Sequence, residues 1–500
     1  MSLGEENIHI GSGGGRVGAW LASRMINVLK SMSPDRVVRE ALQLRDLGDL
    51  LEIAGRAWPI NDAGIWILGS GKAAFPMARA AVEVLGDRVH GGLIITPGAS
   101  EEKDDSGVGD PLGPVHVRYA AHPLPEERNM RATRELLELC QQIPEGALVI
   151  YLLSGGSSSL LCAPLDGIVV GELRQVHQAL LRSGATIHEM NLVRRALSQV
   201  KGGQLLPRLS HTRLIDLVIS DVPGDELSVI GSGPTTQSPI ETGEAIRLLK
   251  QRGLWDALGS SVRNALESSL REHGESWQVS STPVEHQQEV VASAARLARM
   301  VAESFQDRGG EKVKGMAEIR GWGQGPIEVS VVSEAYREPI GDVASRMARE
   351  IVEAACGQTG SARPTLLLWF GECTVQVTGS GKGGRNQELA LRVALDVERL
   401  KNESIERRSG AERNLAPWTL VSLATDGVDG PTDSAGGVVH EGTLELASER
   451  GVDLEATLRD NDAWNALEAL EAHIRTGPTG HNLMDLQAAW IGVPQVQEID

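Results

Sequence analysis

GIWILGSGKAAFPMARAAVEVL, residues 64–85, sets an apolar run before a glycine turn and a helix-like run after it. Strand, Gly69-Ser-Gly71-Lys72 turn, helix is how a parallel strand feeds a crossover helix. The same order recurs along the chain. GGLIIT (91–96) follows, ALVIYLL (147–153) precedes SSSLLCAPL, and RLIDLVIS (213–220) precedes a Gly/Pro-rich loop. Residues 171–206 and 241–305 read mainly as helix. IEVSVVS, TLLLWF, TVQVTG and TLVSLAT (419–425) then resume the strand pattern. The chain is therefore expected to be α/β, with parallel strands and flanking helices.

Five hundred residues exceed what one hydrophobic core organises, so more than one domain is expected. The polar, glycine-rich stretch DRGGEKVKGMAEIRGWGQGP (307–326) marks the expected junction. This gives domains at 21–310 and 325–500, with 1–20 as a disordered tail and 401–414 as a surface loop. A net charge of -19 argues against a nucleic-acid surface, which requires a basic stripe. No apolar run has the ~18 residues of a membrane span, and the acidic start resembles neither a signal nor a transit peptide. Cys140, Cys162, Cys356 and Cys373 form no CxxC pair, which fits reduced thiols in a cytoplasmic protein.

The 57 glycines cluster at strand ends, where open parallel sheets bind ligands. Gly69 and Gly71 let backbone approach a ligand. Lys72, in the first helical turn, is electrostatically misplaced unless it serves an anion. In LLSGGSSSLLCAP (152–164), Ser154, Gly155, Gly156, Ser157 and Ser158 are candidate oxyanion donors, with their hydroxyls expected to be free. On a helical wheel Asn191, Arg194, Arg195, Ser198 and Lys201 share one stripe, followed by Gly202 and Gly203. Three cations on one stripe suggest an anionic substrate. Asp221 and Asp225, then Asp426, Asp429 and Asp433, stand beside glycines at strand ends, a usual way to hold Mg2+. In FGECTVQVTGSGKGGRNQELALRVALD (370–396), Gly381, Lys382, Gly383, Gly384, Arg385, Asn386 and Glu388 form a second glycine turn whose cations suit a polyphosphate. Both turns carry a GxGxx(G/A) pattern. After the first, GGLIIT runs into PGAS without the ribose-binding acid a dinucleotide fold needs. His122, in AAHPLPEERN, is ranked low as a lone histidine.

These residues leave three readings open: a phosphotransferase, a non-catalytic phospho-ligand binder, and, with less weight, a dehydrogenase. Taken in order, GSGKAAFPMA, SGGSSSLLCAP, NLVRRALSQVKGGQL, SDVPGDELSVIGSGPT, GECTVQVTGSGKGGRNQE, ATDGVDGPTDSAGG and TGPTGHNLMDL resemble the type-2 glycerate kinase family, over roughly residues 60 to 490. The resemblance implies an N-terminal Rossmann-like domain, a C-terminal α/β domain of MOFRL type, and an active site in the interdomain cleft. It implies ATP- and Mg2+-dependent phosphorylation of D-glycerate to 2-phosphoglycerate. Small-molecule partners are then expected, with neither nucleic acid nor membrane, and a homodimer is among the assemblies open to it. It further implies that Lys72 and Arg385 are essential. Asp221 joins them as a candidate base, with Asp225, Asp426 and Asp429 as metal candidates. A hydroxypyruvate reductase is the competing enzyme. The chain departs from the family at Cys373 and His481, where Thr is usual, and at Trp464, where Tyr or Phe is common.

Overall fold

The computed structural model describes residues 8–45, 49–98, 108–306, 327–332, 334–357, 364–407, 415–480 and 482–492. The expected junction at 307–326, His481 and residues 408–414 of the expected surface loop lie outside these residues; 401–407 are helical instead, as the end of the helix Arg385–Arg407. The chain forms two compact units, Met1–Ser33 with Ser293–Asp500, and Pro34–Ala292. This corrects the expected boundaries. Strand β1 (His9–Ile10) and the start of the helix Gly15–Ser31 lie in the stretch expected to be tail, and both belong to the unit completed by Ser293–Asp500. The physical reason is an amphipathic helix. Gly18, Leu21, Ala22, Met25, Ile26 and Leu29 recur at helical spacing and are buried. Burying each of the four large side chains contributes about 1.5–3 kcal/mol. Gly18 is needed there, because a Cβ would stand 2.4 Å from Val438 Cγ1. Trp20 packs edge-on against Trp490 at 5.3 Å and against Phe305 of the helix Ala294–Gln306 at 5.1 Å.

The Pro34–Ala292 unit contains a small antiparallel sheet, β2 (Gln43–Arg45), β3 (Leu50–Ile53) and β4 (Arg56–Pro59). Its main sheet comprises β5 (Ile65–Ser70), β6 (Val89–Pro97), β7 (Val108–Leu112), β8 (Val115–Ala120), β9 (Leu148–Leu153), β10 (Arg213–Ile219) and β11 (Glu285–Ala292). The order is β11-β10-β9-β5-β6-β8-β7, parallel except for the β7 edge. Every residue of β9 is buried, as expected of a central parallel strand covered on both faces. From β5 the chain moves to β6 on one side, then returns to β9 on the other. The carboxyl ends of β5 and β9 therefore flank a topological switch point.

The other unit holds β12 (Glu328–Val331), β13 (Thr365–Gly371), β14 (Trp418–Ala424), β15 (Gly436–His440), β16 (His473–Arg475) and β17 (Asp485–Ile491), in the order β1-β16-β15-β14-β17-β13-β12. Only β12 and β13 pair in parallel; the rest is antiparallel. Strand β17 runs between β13 and β14 in the opposite sense, so its first residue, Asp485, sits opposite both Gly371 and Ala424. TVQVTG is not a strand. Beyond an isolated bridge at Thr374 the segment is irregular, and Val377 is 74% exposed. Valine alternation has no sheet to face there.

Candidate active site

The switch point of the Pro34–Ala292 unit is built by two loops that bond to each other. After β5, Gly71 takes φ +136°, and a Cβ there would stand 2.2 Å from Ser154 Oγ. That hydroxyl accepts from the Ala73 amide at 3.0 Å, at the head of the helix Ala74–Leu85. The Lys72 amide donates to Gly155 O at 2.9 Å, leaving the Lys72 side chain exposed. Gly69 permits close pairing of β5 with β9, since its Cβ would meet Leu152 O at 2.8 Å.

Three side chains converge on the Gly155–Gly156 backbone. A Cβ at Gly155 would meet Asp221 Oδ2 at 1.9 Å; one at Gly156 would meet His122 Nε2 at 3.0 Å and Lys72 Cγ at 3.1 Å. Partial burial, then the Lys72 charge, lowers the His122 pKa below the ordinary histidine value. His122 is thus neutral near pH 7 and, like Asp221, able to accept a proton. Sequence reasoning ranked His122 low because nothing in the linear order joins it to Lys72.

The serine hydroxyls serve the protein instead of standing free. Ser157 Oγ bonds Ser70 Oγ at 2.6 Å, which bonds Tyr151 OH at 2.7 Å. Ser158 Oγ bonds Ser232 Oγ at 2.8 Å, which donates to Asn191 Oδ1 at 3.1 Å. The expected cationic stripe is also interrupted. The helix Ile187–Ala196 ends before Ser198, and Lys201 turns inward to donate to the carbonyls of Ser158 and Leu161 at 2.7 and 3.0 Å. Gly202 and Gly203, at positive φ, donate to Ser232 O and Gly233 O and hold the neighbouring loop. Asp225 is a turn residue at φ +53°.

In the other unit, Arg385 opens the helix Arg385–Arg407. Its Nε donates to Asp485 Oδ2 at 2.5 Å, and Nη2 donates to Asp485 Oδ1 at 3.1 Å and Glu372 Oε1 at 2.8 Å. Among the described residues Nη1 has no protein partner. The sheet explains the convergence: Glu372 follows β13 and Asp485 starts β17, its antiparallel neighbour. Asp485 is fully buried; burial raises its carboxyl, against the pull of Arg385, to about 7. Burial opposes the Arg385 charge in turn, but Asp485 and Glu372 hold its pKa above the ordinary value. Neither acid was singled out from the sequence, because β17 reaches Arg385 only through the fold.

The second glycine turn is not an open cradle. The amides of Ser380 and Lys382 donate to the carboxylates of Asp460 and Asp462 at 2.8 Å each, and Gly381 donates to Asp460 O. A Cβ at Gly381 would strike Asp462, one at Gly384 would strike the Asp429 carboxyl, and Gly383 lies against Ala463. Gly381 and Gly384 thus make room for neighbouring acids. The Lys382 ammonium lies 3.7 Å from the centre of the Trp464 ring. Cys373 is buried, chiefly by which its thiol is pushed up to about 12.

Asp429 is 2% exposed and caps the helix. It accepts from the Asn386 and Gln387 amides at 3.1 and 2.9 Å, while burial raises its pKa against those bonds. Asn386 Oδ1 accepts from Ser422 and Gln487, and Glu388 pairs with Arg392 at 2.7 Å and with Asn461. Asp426 accepts from the Val428 amide at 3.1 Å. Among the described residues no three His, Cys, Asp or Glu side chains gather as a metal cage. The described part of the chain also has no helix long and apolar enough to cross a membrane.

Comparison with known proteins agrees with this architecture. Residues 21–267 match a family model described as "Domain of unknown function (DUF4147)", and residues 365–485 match the MOFRL family. The D-glycerate 2-kinase of Thermotoga maritima is 33% identical, with 92% of this chain and 94% of that protein covered. The glycerate 2-kinase of Pyrococcus horikoshii is 32% identical over the same shares. The crystal structure of a glycerate kinase from Thermotoga maritima superposes with a TM-score of 0.74 at 30% identity, covering 94% of this chain and 99% of that one. On sequence and fold together, this chain belongs to the glycerate kinase family with a C-terminal MOFRL domain.

Proposed function

We propose that this protein is a cytoplasmic glycerate 2-kinase, transferring the γ-phosphoryl group of MgATP to the 2-hydroxyl of D-glycerate. The observation that carries the reading is the convergence of Lys72, His122 and Asp221 on one glycine pair at a switch point. A cation there neutralises phosphoryl oxygens, and an acceptor beside it takes the hydroxyl proton. Phosphoryl transfer asks little covalent work of a protein, so charge and placement account for most of the catalysis. In the other unit, Asp485 and Glu372 hold Arg385 in orientation, and its guanidinium suits a phosphate or carboxylate oxygen pair. Because the described acids form no cage, Mg2+ is best written as part of the nucleotide substrate, which brings its own phosphate ligands.

The test is incubation with ATP, Mg2+ and D-glycerate, followed by separation of 2- from 3-phosphoglycerate. Formation of the 2-isomer is expected. No product with glycerate but turnover of another hydroxy acid would reject the substrate and keep the reaction class. NADH oxidation with hydroxypyruvate would replace the kinase by a reductase.

A further inference from the structure

At the carboxyl end of the single turn Ser157–Leu160 lies a small cleft lined by Ser158, Cys162, His177, Arg194, Ser198 and Lys201. Its charge is one-sided. Lys201 is 5% exposed and Arg194 is mostly covered, yet among the described residues neither has a carboxylate in ion-pair reach. Lys201 has its two carbonyl partners, but Arg194 has no hydrogen bond within the described protein. His177, 7% exposed, keeps a buried Nε2 without a partner. Burial, then the Arg194 and Lys201 charges, holds His177 at about 3, so the ring is neutral. Burial lowers Lys201 to about 8. Covered cations side by side with no counter-charge are costly, and an anion between them removes that cost.

We propose that this cleft binds the carboxylate of the hydroxy-acid substrate, with Arg194 as its two-pronged donor and Lys201 and His177 completing the set. The proposal rests on the kinase reading above. A planar guanidinium matches a carboxylate through two parallel bonds, which an ammonium does not reproduce. Reach also favours this occupant. Ser158 is two residues from Gly156, where Lys72 and His122 lie, and the chain limits that separation to about 7 Å. A three-carbon acid anchored by its carboxylate in the cleft can bring a hydroxyl to that side.

Calorimetric titration of the full-length protein, without nucleotide, tests this using D-glycerate, glycerol and inorganic phosphate. Arg194→Gln should weaken glycerate binding about 10- to 100-fold. Arg194→Lys should lose part of that affinity. Glycerol, which lacks the carboxylate, should bind equally weakly to all three proteins. Equal glycerate affinity in wild type and Arg194→Gln overturns the proposal. So does a wild type that binds phosphate but not glycerate, which would make the cleft a phosphate site. If Arg194→Gln does not fold, unchanged glycerate affinity in Arg194→Lys overturns it as well. No nucleotide enters the titration, so a kinase assay without product would reject the reaction separately from this result.

Discussion

Asp485 titrates where its charge matters to Arg385. With its carboxyl at about 7, it is protonated below that pH and ionised above it. The paired, oriented form of Arg385 therefore prevails on the alkaline side, and turnover should fall as pH drops through about 7. Asp485→Asn, which cannot ionise, should flatten that acid limb in a kcat-against-pH profile; an unchanged limb would assign it to another group. At the same scale, Lys72→Ala and Arg385→Ala should each lower kcat on the order of a hundredfold or more with circular dichroism unchanged. Near-normal rates would remove these side chains from the mechanism. Lys72 and Arg385 were legible in the sequence because each is a cation at a helix start, where bare electrostatics disfavours it. Their partners were not legible. His122 and Asp485 reach them only across strands distant in sequence, and Glu372, in the same stretch as Arg385, meets it only once the intervening turn folds back.

The helix Arg385–Arg407 shows why an acid beside glycines is a poor guide to metal binding. Asp429 sits at its amino end and accepts two amide bonds that would otherwise be unsatisfied in the core. Asp429→Ala should cost about 1–3 kcal/mol, read as a shift of the urea transition, with the Mg2+ dependence of turnover unaltered. Weaker Mg2+ dependence at unchanged stability would restore the metal reading. Element types were readable wherever a strand is buried on both faces, as with β9, β13 and β14, since continuous apolar runs have no other use at that length. Strand direction was not readable. TLVSLAT carries no mark that its neighbour β17 runs the other way, and the valines of TVQVTG follow a strand pattern without being in a sheet.

At the scale of the molecule, the two-domain α/β plan is as the sequence implied, while the boundaries follow packing. The helix Gly15–Ser31 supplies a face of the unit completed by Ser293–Asp500. A chain of residues 34–292 alone should unfold cooperatively in urea. Deleting residues 1–33 should expose the Trp490 ring and shift its fluorescence to the red, with the 34–292 transition unmoved. An unshifted spectrum would mean the unit holds together without that helix. The same threading has a consequence for how the protein is made. On the ribosome, the apolar stripe of Leu21, Met25, Ile26 and Leu29 emerges before its partner strands, which come only after Ala292. At roughly 5–20 residues per second that stripe waits on the order of tens of seconds. Until then it offers nascent-chain chaperones an uncovered apolar face.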